Sequence, residues 1–131
     1  MQYNTILYNA VTLCLSLSLS LSPPPLSGLW LVGSCEDIVA GKLSKEIKKL
    51  SNFFISIYPT TVYLRVGYEF DSFENNYNPI AYGSAYRTIV DSLRLYGVQN
   101  VAYVWHSYSE RPQGGYPLSS WYPGERHDGR G

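Results

Sequence analysis

Charge is missing from the start of this chain: no Lys, Arg, His, Asp or Glu precedes Glu36, whereas the remainder of the 131 residues carries ten Lys and Arg against ten Asp and Glu. That balance leaves no overall field to draw the protein toward nucleic acid or an acidic membrane, so neither is expected as a partner. Cysteine is scarce as well. Cys14 and Cys35 are too few for a disulfide framework or a zinc site, and two unrelated thiols are expected. His106 and His127 are equally isolated in sequence, so no metal site is anticipated. What the chain has in plenty is aromatic side chains, with thirteen Tyr and three Trp. These suit both a packed core and the flat apolar faces of sugar rings, and packing is the commoner use. A composition of 45% apolar and 15% charged residues is enough for one globular domain.

From Leu15 to Ser22 the chain alternates Leu and Ser, and Pro23, Pro24 and Pro25 follow. Period-2 alternation reads literally as a strand with a Leu face and a Ser face. It is also what a CT dinucleotide repeat encodes, and a translated repeat is the preferred reading. A signal peptide is the rival, which would make the protein extracellular, but the basic n-region is missing. The stretch is too short for the roughly 20 apolar residues of a membrane span. Residues 1–27 are therefore set apart as low-complexity, 28–124 as the organised region and 125–131 as a tail.

Within the organised region, Gly28 to Gly33 fits a short buried strand. From Lys42 to Tyr58, Leu43, Ile47, Leu50, Phe54 and Ile57 step by four and three residues, one face of a helix closed by Pro59. Val62 to Phe70 reads as a strand covered on both sides. Asn78 and Pro79 open a second helix as N-cap and first residue, and Gly97 ends it. Val98 to Trp105 makes another buried strand, and the rest is rich in turns. Strands alternating with helices call for a parallel sheet with right-handed crossovers.

In such sheets the working residues lie at the carboxyl ends of the strands. Glu69 is expected at such an end, where partial burial would favour general-acid chemistry; a plain surface carboxyl group is the alternative. Arg65, by period 2, is expected on the same face as Gly67 and Glu69. It would orient a carboxylate or a sugar hydroxyl, or form a structural ion pair. Trp105 and His106 end the next strand, one suited to stacking on a sugar and the other to hydrogen bonding it, or both to packing.

The runs Tyr63–Asp71, Ala85–Asp91, Asn100–Ser107 and Trp121–Gly124, in that order, resemble the middle of glycoside hydrolase family 26, over about residues 37–124. The resemblance implies an α/β fold, namely a partial (β/α)8 TIM barrel comprising roughly strands three to five with their helices. It also implies a retaining glycosidase acting on a β-linked polysaccharide, of β-mannanase type, with Glu69 matching the acid/base at the end of strand four. The substrate-binding set would be Arg65, Tyr68, Trp105, His106 and Trp121. Tyr68 departs from the His usual before this Glu, which leaves the substrate subgroup open.

Retaining cleavage needs two carboxyl groups about 5 to 5.5 Å apart, and the family's nucleophile belongs to strand seven. The expectation is a fragment of such an enzyme, inactive by itself, and the resemblance implies no cofactor, since this kind of hydrolysis needs only carboxylates and water. The alternatives are a non-catalytic carbohydrate-binding remnant, using Tyr68, Trp105 and Trp121 as platforms, and a half-barrel completed by a second copy.

Overall fold

The structure, a computed structural model, describes residues 34–67, 69–72, 75–108, 116–125 and 127, together with the backbone of 6–10 and 17–19. The expected strand at 28–33 and Tyr68 lie outside the described residues. Four strands and three helices follow one another as β1 Ile6–Ala10, β2 Leu17–Leu19, α1 Cys35–Val39, α2 Ser44–Ser56, β3 Val62–Arg65, α3 Pro79–Leu95 and β4 Val101–Val104, with a 3-10 turn at Leu118–Trp121. The sheet order is β2-β1-β3-β4. Both β1 and β4 run parallel to β3, with Ile6 and Val101 each in register with Val62, while β2 runs antiparallel to β1.

This corrects the expected partial barrel. Three helices beside a few strands of three to five residues are too small and sparse for strands three to five of a (β/α)8 barrel with their helices. The antiparallel β2 also occupies the edge of β1 where an all-parallel barrel would need its next strand. What forms is a small mixed sheet with α1 and α2 both lying against α3.

The helices follow local rules. A capping box starts α1: Ser34 Oγ accepts from the Asp37 amide at 3.1 Å, and the Asp37 carboxyl group accepts from the Ser34 amide at 3.4 Å, satisfying two N-terminal donors at once. The sequence reading passed over this short helix. In α2 the apolar stripe buries Ile47, Leu50 and Phe54. Asn78 Oδ1 caps α3 by accepting from the amides of Ile80 and Ala81 at 2.9 and 3.1 Å. At its other end the Gly97 amide donates to Arg94 O and the Val98 amide to Leu93 O, each at 3.0 Å. With Gly97 at φ 84°, that is a Schellman closure, sealed by the buried pair Leu93 and Val98.

The core lies under these helices. Tyr82, Tyr86, Phe54, Phe70, Leu64, Ile89, Leu93 and Trp121 are essentially inaccessible to solvent. Phe70 is its hub, stacked on Tyr82 at 4.7 Å and on Trp105 at 4.9 Å and tilted against Trp121 at 5.6 Å. Each such ring pair contributes roughly 0.5–1.5 kcal/mol beyond its buried area. The cysteine expectation is corrected here too: Cys35 is disulfide-bonded.

Candidate functional site at the carboxyl end of the sheet

β3 stops at Arg65, five residues short of the expected end. Gly67 sits at φ 68° and Glu69 at φ 50°, in the left-handed region, so the backbone turns away from the sheet. A β-carbon on Gly67 would lie 2.7 Å from the Tyr82 ring, and Tyr82 itself is fixed by donating its hydroxyl to Val66 O at 2.7 Å. Only glycine suits that place. Glu69 is consequently in a turn past the strand, and the shared face expected for Arg65, Gly67 and Glu69 does not exist, because period-2 alternation ends with the strand.

The turn is well anchored. Glu69 O accepts from the Ser72 amide at 2.9 Å and from Asn75 Nδ2 at 2.6 Å, and the Glu69 residue is half-buried. Asp71, two residues on, is fully buried. Its two oxygens accept from Ser107 Oγ at 2.5 Å and from the Tyr108 amide at 2.6 Å. The sequence assigns Asp71 no role of its own, since both partners lie more than thirty-five residues away.

Arg65 and His106 do meet. Arg65 Nη1 donates to His106 Nδ1 at 3.2 Å in the tautomer that leaves this nitrogen unprotonated. This arrangement joins the end of β3 to the segment leaving β4. Trp105 is half-buried, with Phe70 stacked on its ring at 4.9 Å and the edge of Tyr122 at 5.5 Å. Trp121 is fully buried. Its expected role as a sugar platform is corrected, because no face of the ring is open; it packs on Phe70 and edge-on to Tyr82 at 5.8 Å. Arg87 Nη1 donates to Pro123 O at 3.4 Å, tying the segment after Trp121 to α3.

Two polar residues elsewhere were also passed over. His127 Nε2 meets Asp91 Oδ1 at 2.8 Å, fastening the end of the described chain to α3. Asn100 is buried at the opposite, amino end of the sheet and donates its amide to Phe54 O at 2.9 Å and Thr60 O at 2.8 Å. A shallow depression of about 200 Å³ lies beside it, lined by Ile55, Tyr58, Gly97, Gln99 and Asn100.

Among the described residues, no group of three or more His, Cys, Asp or Glu is arranged to hold a metal ion, and no helix is long and apolar enough to cross a membrane. The class these observations define is a small α/β unit with a mixed sheet and a polar cluster at the carboxyl ends of β3 and β4. No family model matches the chain, and no curated protein is significantly similar to it.

Proposed function

We propose that this chain carries part of the site of a retaining glycoside hydrolase acting on the O-glycosyl bonds of a β-linked polysaccharide, with a mannan-type parent and Glu69 as the acid/base. The observation that supports this reading is the gathering of polar groups at one end of the sheet. Arg65 pairs with His106, and the loop bearing Glu69 is bonded through Asp71 to the segment directly after His106. A carboxyl group for proton transfer and a cation–imidazole pair able to bind sugar hydroxyls suit one another in that role. The four ordered segments resembling glycoside hydrolase family 26 support the same reading.

Retention also needs a second carboxyl group to attack the anomeric carbon. Asp71 does not serve, since both its oxygens are engaged and the residue is buried. The described residues at this end of the sheet thus supply the proton-transfer half of the chemistry, and saccharide binding without cleavage is the expected outcome. The test is calorimetric titration of the chain with β-1,4-linked mannohexaose, together with a reducing-sugar assay on β-mannan. Heat of binding with no sugar released is expected. Release of reducing ends that Glu69→Gln abolishes would contradict the single-carboxyl account, and absence of any binding would contradict the saccharide reading.

A further inference from the structure

Glu69 and His106 belong to different loops, and nothing in the sheet itself holds those loops at a fixed spacing, because β3 and β4 both end before them, at Arg65 and Val104. Two polar cross-links do so, alongside the stacking of Phe70 on Trp105 at 4.9 Å. One is the Arg65–His106 contact at 3.2 Å, which ties His106 to the end of β3 from which the Glu69 turn departs. The other is Asp71, whose carboxyl oxygens take one side-chain donor, Ser107 Oγ at 2.5 Å, and one backbone donor, the Tyr108 amide at 2.6 Å. The order along the chain matters: Asp71 follows Glu69 by two positions, and its partners follow His106 by one and two.

A carboxyl group that is 1% exposed is tolerated only where donors replace its lost water, and here each oxygen has one. The turn between Glu69 and Asp71 is short and pinned by the Ser72 amide and Asn75 Nδ2 on Glu69 O. Displacement at Asp71 is therefore passed to the Glu69 backbone on one side and to His106 on the other.

We propose that Asp71 is a positioning residue, locking the Glu69 turn to the His106 segment so that the two side chains form one preorganised saccharide site. The saccharide part of this statement rests on the function proposed above; the locking part does not. Asp71 contributes through the geometry it imposes rather than by touching sugar, as supports behind reacting groups do in general.

The experiment is nuclear magnetic resonance on the full chain, reading the His106 imidazole nitrogens and the Tyr108 amide without ligand, followed by titration with mannohexaose. Asp71→Ala is expected to move the His106 Nδ1 signal and speed exchange of the Tyr108 amide, while helix content by circular dichroism stays unchanged. Saccharide affinity is expected to fall about ten-fold, as for loss of a buried hydrogen-bonded anchor. Asp71→Asn, which keeps one acceptor, is expected to recover part of both effects. Unaltered His106 and Tyr108 signals in folded Asp71→Ala would overturn the proposal. If Asp71→Ala does not fold, Ser107→Ala removes one of the two bonds without burying a new group. A His106 shift there supports the lock and an unchanged one overturns it. A shifted His106 signal in a protein whose wild-type form binds no mannohexaose would keep the lock and reject the saccharide reading alone.

Discussion

Each end of the sheet is tied by one buried polar side chain, and the two ties work in opposite senses. At the amino end Asn100 donates to two backbone carbonyls, Phe54 O near the close of α2 and Thr60 O in the loop beyond it. Helix C-termini leave carbonyls without partners, and a side-chain amide is what such a place needs. At the carboxyl end Asp71 accepts from a hydroxyl and a backbone amide, joining two loops. The first tie serves the core, since its partners are main-chain groups of the packed scaffold. The second joins the half-buried segments that carry Glu69 and His106, so it fixes the spacing of two loops beyond the sheet. The difference separates residues that keep the protein folded from residues that shape the proposed site.

Four substitutions break or sharpen that contrast. Removing the ring beneath the carboxyl end has the largest effect: Trp121→Ala is expected to cost about 3–5 kcal/mol of stability, read as a lowered midpoint in urea unfolding, because the ring is fully buried against Phe70 and Tyr82. Asn100→Ala should cost roughly 2–3 kcal/mol by leaving Phe54 O and Thr60 O without their donor, while the mannohexaose affinity of the folded fraction stays at the wild-type value. A parallel fall in that affinity would erase the distinction between the two ends. Next comes Gly67→Ala, which forces a side chain into φ 68° and against Tyr82. About 1–3 kcal/mol is expected, with chemical shifts changing around Glu69 before the core resonances respond.

The smallest effect at neutral pH belongs to Tyr103. Its hydroxyl is buried without a hydrogen-bond partner among the described residues, and burial, reinforced by Asp91 and opposed by Arg94, pushes its pKa up to about 12. The folded state therefore holds the phenol proton more tightly than the unfolded chain, whose tyrosines titrate near 10. This contribution to stability is complete below about pH 10 and is lost as pH rises toward about 12. Tyr103→Phe should leave neutral-pH stability within about 0.5 kcal/mol and flatten the alkaline part of the stability profile. Tyr82, whose phenol is also raised well above its ordinary value by burial, adds to the alkaline slope in the same direction.

Sequence was most informative where the signal is local. The stripe of Ile47, Leu50 and Phe54 marks α2, and Asn78, Pro79 and Gly97 mark the bounds of α3, because caps and helical periods involve neighbours in the chain. The end of β3 was hidden: Val66 and Phe70 continue an apolar run, while the left-handed turn at Gly67 follows from a Tyr82 ring fifteen residues on. Asp71 and Asn100 were hidden for the same reason, their partners being thirty-six or more positions distant. Trp121 shows a further limit, since an indole suits a buried core and a sugar platform equally well until its surroundings are known. The barrel expectation failed at the sheet edge. Alternating strands and helices call for parallel neighbours, but they do not reveal that Ile6–Ala10 is followed by an antiparallel return at Leu17–Leu19.

The central claim is that saccharide is held at the carboxyl end of the sheet, around Glu69, and it is tested most directly by mapping amide chemical shifts during titration with mannohexaose. The account predicts saturable changes confined to Arg65, Glu69, Trp105 and His106 and their immediate neighbours, with Asn100 and the depression beside it unmoved. Changes centred on Ile55, Tyr58 and Gln99, or none anywhere in the chain, would contradict it.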